Sequence, residues 1–192
     1  MSTSPRRSPR SSQSHTPQHQ TVGRLAEAFV ARWLVEQGYE ILQERWRCRW
    51  GELDLVVRFL SSPATLAFVE VKARTDRNWD ANGLLSITAK KREKLWQAAE
   101  LFLSAHPPLA TLPCRFDVAL VHYQINPHPA KQNPAKQNPA ELFNEEAIEP
   151  GNAVQSGEPQ WEDCTVQMGQ PVAIGPYRLT LQDYILNGFD EC

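Results

Sequence analysis

LAFVEVKA, the sequence of residues 66–73, decides the fold of this chain because six of its eight residues are apolar. A short apolar run that contains β-branched and aromatic side chains predicts a strand buried in a sheet. Glu70 and Lys72 are two residues apart, so both side chains leave the same face of that strand. A carboxylate and an ammonium are costly among apolar neighbours unless another group compensates for their burial. Taken alone, an ordinary cross-strand Glu–Lys pair would also account for them.

A second carboxylate interrupts the preceding predicted strand, Leu53–Phe59, where Asp54 stands between two leucines. The short linker between the strands favours antiparallel pairing, which would bring Asp54 beside Glu70. Two neighbouring carboxylates repel each other, and a divalent cation is a common reason for a fold to tolerate them. Oxygen ligands favour Mg²⁺ or Mn²⁺ over zinc, and Lys72 would then stabilise charge on a phosphate. The alternative is an unrelated, solvent-facing Asp54.

The flanking segments complete the pattern of an α/β domain. An apolar stripe at helical spacing predicts a helix over Thr21–Gly38, and Tyr39–Arg47 is the first of three predicted strands. A second helix is predicted over Thr88–Ala105, before two prolines, and Phe116–Val121 is a fourth strand. Tyr177–Phe189 is expected to add a strand and a short helix. The order helix, three strands, helix, strand predicts a mixed sheet.

Composition divides the chain into four parts. Residues 1–20 are rich in Ser, Pro, Arg and Gln and contain no acid, which predicts a disordered basic tail. The α/β domain is assigned to residues 21–125. Residues 126–172, which contain Ala-Lys-Gln-Asn-Pro twice in tandem, are predicted to form an acidic, disordered, low-complexity insertion. Residues 173–192 are expected to complete the domain.

Charge and cysteine content limit the class of function. Residues 1–126 carry 17 Lys and Arg against 12 Asp and Glu, whereas residues 127–192 carry 3 against 10. Only the first part suits a polyanionic partner. The four cysteines have no C-x-x-C spacing, which argues against a thiolate metal site and favours reduced thiols in a cytoplasmic protein. No stretch approaches the length of about 20 apolar residues that a membrane span needs.

Several further charges could contact nucleic acid. Glu27 lies at the edge of the apolar stripe of the first helix, where it could face the sheet or pair with Arg24. Three arginines alternate with bulky residues before Gly51 and could bind phosphates from one strand face, or form the wet face of an edge strand. Lysines at the start of the second helix oppose its dipole, although a solvated face also explains them. The candidate nucleic-acid contacts are Arg45, Arg47, Arg49, Arg74, Lys90 and Lys91.

Several blocks of this sequence, in order, resemble the YraN-like family of small bacterial proteins. They are residues 23–27, 46–55, 68–74, 90–99 and 115–118. The pattern of that family is in turn similar to Holliday-junction resolvases and to the restriction-endonuclease-like fold. The resemblance implies a restriction-endonuclease-like core in which Asp54 and Glu70 are ligands of Mg²⁺ or Mn²⁺, Lys72 is the catalytic lysine and Glu27 is a helix-borne acid.

The resulting hypothesis is a metal-dependent, nuclease-like protein that acts on or binds DNA, with branched or damaged DNA as the candidate substrate. A homodimer is a further expectation, because junction resolvases act on symmetric substrates. The alternative is a catalytically inactive nucleic-acid-binding or adaptor protein that keeps the nuclease fold. A third hypothesis is an assembly factor that binds protein through the acidic insertion.

Overall fold

A six-stranded mixed sheet with a helix on each face forms the part of the chain that the computed structural model describes, residues 17–75, 87–125 and 165–189. The predicted α/β class, with the order helix, three strands, helix, strand, is confirmed. The elements are α1 (Pro17–Glu36), β1 (Tyr39–Cys48), β2 (Gly51–Phe59), β3 (Thr65–Arg74), α2 (Ala89–Ala105), a 3-10 turn (Pro107–Leu109), β4 (Cys114–Ile125), β5 (Pro171–Ile174) and β6 (Tyr177–Ile185).

The strands of the sheet lie in the order β1-β2-β3-β4-β6-β5. Within the described residues, β3 and β4 are the one parallel pair, and the other neighbours are antiparallel. Parallel neighbours need a long crossover connection, which contains α2, whereas β1, β2 and β3 form the predicted antiparallel meander. β1 is an edge strand with a register shift between Ile41 and Gln43, and the four-residue strand β5 is the opposite edge.

Alternate side chains of the central strands enter two hydrophobic clusters, one on each face of the sheet. Val69 and Ala119 pack in the cluster of α1, whereas Phe68 and Val118 pack in the cluster of α2. The stripe predicted for α1 is buried in full: Val22, Leu25, Ala26, Phe29, Val30, Trp33 and Leu34. The strand period of two and the helix period of 3.6 thus place both helices against the sheet.

The ends of the helices follow local sequence signals. α1 begins at Pro17, earlier than predicted, and ends before Gly38, whose φ of 84° lies in the left-handed region that glycine adopts readily. The hydroxyl of Thr88 caps α2 by accepting a hydrogen bond of 3.2 Å from the backbone N–H of Lys91. Both helices therefore end near the predicted residues, and α2 also begins there, whereas α1 begins within residues 1–20, which were predicted to be a disordered tail.

The C-terminal segment corrects the sequence prediction. The described residues contain no short helix after Tyr177, because β6 runs to Ile185 and the chain then turns. Asn187 has a φ of 50°, and its N–H donates to a side chain of β4. The N–H of Gly188 donates to the carbonyl of Phe116 at 2.8 Å. These bonds direct the backbone back to β4 instead of along a helix.

Most of two predicted segments lies outside the described residues. Of these two segments, the residues outside the description are 1–16 of the predicted basic tail and 126–164 of the predicted acidic insertion. The last part of the insertion is described: Val166 is buried in the cluster of α1, and β5 begins at Pro171. In the described part of the chain, neither helix has the length and apolar content to cross a membrane.

A fully buried carboxylate fastens β6 to the rest of the sheet. Asp117, in β4, is 0% exposed and accepts hydrogen bonds from three segments. The donors are Nε of Arg115 (3.0 Å to each oxygen), the hydroxyl of Tyr184 (2.9 Å) and the backbone N–H of Asn187 (3.0 Å). Arg115 also donates to the hydroxyl of Tyr39 at 3.0 Å. Because each partner satisfies a buried polar group, this cluster has a structural role.

Candidate active site

Asp54 lies where β2 and β3 separate. The pairing of these strands runs from Phe59 opposite Thr65 to Leu55 opposite Val69 and stops there. Beyond it, Oδ2 of Asp54 accepts a hydrogen bond of 2.8 Å from the backbone N–H of Val71. A side chain thus replaces the backbone partner that the ladder would have supplied. Asp54 is thereby held at the open end of the two strands, as the predicted antiparallel pairing requires.

Burial first, and then the neighbouring carboxylate of Glu70, raise the pKa of Asp54 from 3.8 to about 7. The N–H of Val71 and the ammonium groups of Lys91 and Lys72 act in the opposite direction, with smaller effects. The fold therefore holds the carboxylate of Glu70 close enough to oppose the ionisation of Asp54. This is the electrostatic situation that the sequence predicts for Asp54 and Glu70.

Glu70 is 4% exposed and lies between two ammonium groups. Its Oε1 forms an ion pair with Nζ of Lys72 from the same strand and another, at 3.3 Å, with Nζ of Lys91 from α2. Its second oxygen, Oε2, is buried without a hydrogen-bond partner. Leaving a buried carboxylate oxygen unpaired is costly, so this atom is a candidate position for a ligand.

Glu27 extends the acidic group from the other face of the sheet. It lies on α1 with a side chain 16% exposed, and Oε2 accepts from Nη1 of Arg45 at 3.2 Å. Burial and then the charge of Asp54 raise the pKa of Glu27 to about 8, although Arg45 opposes the shift. Arg45, which has a left-handed φ of 49°, also pairs with Oε1 of Glu52 at 2.9 Å. The backbone of β1 therefore turns this guanidinium inward between two acids.

The carboxylates of this site supply few ligands for a divalent ion. No group of three or more His, Cys, Asp or Glu side chains in the described residues is arranged to hold a metal ion. Mg²⁺, however, is commonly held by one or two carboxylates and completes its shell with water and substrate phosphate. Asp54 and Glu70 supply hard oxygen donors, and Oε2 of Glu70 has no other partner. These residues fit an ion of that class.

The other predicted nucleic-acid contacts separate into paired and exposed groups. Arg45 pairs inward as described above, and Nε of Arg47 pairs with Oε2 of Glu52 at 3.2 Å although its side chain is 69% exposed. Lys90 is exposed on α2. Arg74 ends β3, where its guanidinium donates to the carbonyl of Ala73 at 3.5 Å. The sequence predicts one row of three arginines, but Arg49 lies in the turn after β1 and leaves that row.

A polar cleft of about 780 Å³ opens beside Glu27, between α1 and the β1–β2 hairpin. Its walls carry both the acids and the arginines of this region, among them Arg24, Glu27, Arg45, Arg47 and Glu52. A polyanion could approach this cleft through its arginines, whereas its acids would hold a cation. The cleft therefore places Arg45 and Arg47, two candidate phosphate contacts, beside Glu27, whereas Asp54 and Glu70 are not among its lining residues.

Sequence reasoning missed Glu52, and it did not predict that Lys91 contacts Glu70. Glu52 receives both Arg45 and Arg47, and its position two residues before Asp54 was the available signal. Lys91 was assigned to nucleic-acid binding, but it contacts Glu70. Its helical spacing from the buried Leu95 indicates an inward position, because residues four apart share a helix face.

The site lies within a segment that matches a described family. Residues 26–121 match the model of "Uncharacterised protein family UPF0102". This range includes Glu27, Asp54, Glu70 and Lys72. It also includes Asp117, the buried acid of the structural cluster.

Three relatives support the same match, two of them over most of this chain. A UPF0102 protein of Acaryochloris marina is 38% identical over 174 residues, which cover 88% of this chain and 89% of the relative. A UPF0102 protein of Synechocystis sp. is 39% identical over 168 residues, which cover 88% of this chain and 97% of the relative. A UPF0102 protein of Synechococcus sp. is 54% identical over 102 residues, 53% of this chain and 76% of the relative.

Proposed function

The chain belongs to the uncharacterised protein family UPF0102, and on that premise we propose that it is a metal-dependent nuclease that hydrolyses phosphodiester bonds of DNA. Membership confirms the YraN-like resemblance. The observation that carries the proposal is the buried Glu70, whose unpaired Oε2 lies in a site with Asp54 and two lysines. A site of two acids with adjacent cations suits a divalent ion bound to a phosphate.

Asp54 and Glu70 would hold the ion. When bound, Mg²⁺ or Mn²⁺ supplies Lewis-acid activation of the phosphate and a lower pKa for a coordinated water. The N–H of Val71 fixes Oδ2 of Asp54, so this carboxylate needs little reorganisation to act as a ligand. The ammonium groups of Lys72 and Lys91, which contact Oε1 of Glu70, would also stabilise negative charge that develops on the phosphate oxygens.

Glu27 is suited to hold or transfer a proton at its carboxyl group. Its raised pKa of about 8 keeps a substantial protonated fraction near neutral pH. Arg45 orients this carboxyl group by contacting Oε2 and, through Glu52, is itself fixed in place. The exposed cations, such as Arg47 and Lys90, would bind the DNA backbone and set its position without reading its sequence.

The experiment compares DNA cleavage by the wild type with that of matched variants. Branched, flapped, single-stranded and fully paired DNA are incubated with Mg²⁺, with Mn²⁺ or with EDTA. We expect cleavage in the presence of either metal, and its loss in Asp54→Asn and Glu70→Gln, which keep the shape of the side chain. Glu100→Gln removes an exposed carboxylate of α2 and serves as the control. Equal residual cleavage in wild type and Asp54→Asn would refute the proposal.

Calorimetric titration with Mn²⁺ tests the ion separately from the reaction. The wild type is expected to bind Mn²⁺, and the variant with both Asp54→Asn and Glu70→Gln is expected not to bind it. If the wild type shows no heat of binding, the result would favour the second candidate function, a non-catalytic DNA-binding protein. The exposed cations favour this alternative, because they need no metal to bind phosphates. It predicts salt-dependent DNA binding that survives Glu70→Gln, without cleavage.

A further inference from the structure

A small groove lies beside the candidate active site, on the side of α2. It has a volume of about 190 Å³ and separates the turn between β1 and β2 from the beginning of α2. A pocket of this size is below the range of about 300–1,000 Å³ that is usual for sites of drug-sized ligands. It therefore suits a small group rather than a large ligand. The groove is lined by Trp50, Gly51, Glu52, Lys91, Lys94 and Leu95.

Trp50 gives the groove an exposed aromatic surface. Its side chain is 37% exposed in the turn, and the guanidinium carbon of Arg49 lies 5.1 Å from the centre of its ring. Gly51 adopts a φ of 146°, which favours glycine, and a Cβ atom at this position would have no heavy atom within 4 Å. The turn thus presents an indole ring next to open space, flanked by a cation.

Lys91 connects the groove with the candidate active site. Lys91 lines the groove, and its ammonium lies 3.3 Å from Oε1 of Glu70. Lys94, one helical turn further on, lines the groove and is exposed. A phosphate that reaches Lys91 from the groove would therefore lie next to the carboxylates of the site. Aromatic surface combined with lysines is the combination that proteins use for unpaired nucleotides.

We infer that this groove binds one unpaired nucleotide of a DNA strand, next to the phosphate that the active site would cleave. The base stacks on Trp50, while Lys91 and Lys94 contact the adjoining phosphates. The inference rests on the proposed function for the position of the cleaved bond, but the binding itself requires neither metal nor reaction. It specifies a substrate class, DNA that contains unpaired nucleotides next to the cleavage position.

Fully paired DNA is the natural comparison. In a duplex the base is stacked and paired, so it must be unstacked and unpaired before it can lie on Trp50. A flap, a single-stranded end or a branch point offers the base without this cost. Preference for such structures would therefore depend on the aromatic ring, whereas the lysines would contribute to the binding of either DNA through its phosphates.

The test measures binding by fluorescence anisotropy, with the full-length protein in EDTA. One labelled probe is a hairpin duplex with a single-stranded flap, and the other is a fully paired hairpin. We expect Trp50→Ala to weaken binding of the flap probe at least about fivefold, because one base–aromatic stack is lost. Trp50→Phe should retain most of the affinity, and both variants should bind the paired probe as the wild type does.

Two further variants exclude trivial explanations. Lys94→Ala should weaken both probes and lower the salt dependence of binding by about one ion. Leu60→Ala removes an exposed apolar side chain beyond the other end of β2 and should change neither probe. Thermal unfolding of each variant verifies that the fold is retained. If Trp50→Ala binds the flap probe like the wild type, or weakens both probes equally, the inference is wrong.

The binding experiment can fail independently of the cleavage experiment that tests the proposed function. Loss of the flap preference in Trp50→Ala, with no metal-dependent cleavage by the wild type, would support the groove and refute the nuclease. Metal-dependent cleavage with no effect of Trp50→Ala on flap binding would support the nuclease and refute the groove.

Discussion

Replacing Glu27 with glutamine is expected to stabilise the metal-free protein, and the gain should grow with pH. In the folded protein, burial and the charge of Asp54 raise the pKa of Glu27 from 4.5 to about 8. The unfolded chain has no such environment, so there the carboxyl group ionises near its ordinary pKa. The folded state therefore disfavours an ionised Glu27, and glutamine, which cannot ionise, removes that disadvantage.

The sign and size of the effect follow from linkage. A pKa that is raised on folding contributes stability that is fully present below 4.5 and is lost as the pH rises through about 8. At about 1.4 kcal/mol per pKa unit, the complete shift corresponds to roughly 5 kcal/mol as an upper limit. Water that reaches the side chain and the contact with Arg45 reduce this value. We expect Glu27→Gln to gain about 1–3 kcal/mol at pH 8.5 and close to nothing at pH 4.

Urea unfolding, followed by circular dichroism in EDTA, measures this difference at pH 4, 6 and 8.5. Glu100→Gln provides the matched control, because it makes the same chemical change at an exposed position of α2. The midpoint of Glu27→Gln should move above that of the wild type as the pH rises, while the control follows the wild type. A difference that is the same at all three pH values would refute the reasoning, since it would show that ionisation of Glu27 is not the cause.

Three other predictions concern the buried acids and the lysine. Asp117→Asn should lower the free energy of unfolding by about 2–4 kcal/mol, because the substitution removes the charge that Arg115 and the hydroxyl of Tyr184 contact. Thermal unfolding measures this loss, and an unchanged melting temperature would contradict the prediction. Mn²⁺ should raise the melting temperature of the wild type and leave that of Asp54→Asn unchanged; an equal rise in both would place the ion elsewhere. Lys72→Met should reduce the rate of metal-dependent cleavage at least about 100-fold, while Lys72→Arg keeps more activity. Cleavage by Lys72→Met at the wild-type rate in a single-turnover assay would exclude a role for the ammonium.

The period-2 pattern was enough to predict the contact between Glu70 and Lys72. Both side chains leave one face of β3, and the structure joins them as an ion pair. The short linker between the two strands, which favours antiparallel pairing, predicted that Asp54 lies beside Glu70. It could not show that the ladder between β2 and β3 stops at Leu55, because the end of pairing depends on the three-dimensional course of both strands.

An acid within an apolar strand indicates that the acid has a specific role. The pattern does not distinguish a structural role from metal binding. Asp117, between Phe116 and Val118, breaks its strand in the same way as Asp54 does. Its partners, however, include a tyrosine and a backbone N–H from the far end of the chain, which no local pattern could supply. Satisfied hydrogen bonds at Asp117 and an unpaired oxygen at Glu70 are what separate the structural acid from the candidate ligand.

The two edge strands of the sheet determine whether two copies of this protein can associate by strand pairing. A long edge strand invites pairing with a second sheet, which leads to strand-mediated association or aggregation. β1 opposes this through the register shift after Ile41 and the left-handed backbone at Arg45, whose guanidinium is held by acids. At the opposite edge, β5 has four residues and begins with Pro171, which has no N–H to donate. Among the described residues, neither edge is a regular template, so two copies would associate through side chains instead of by extending the sheet.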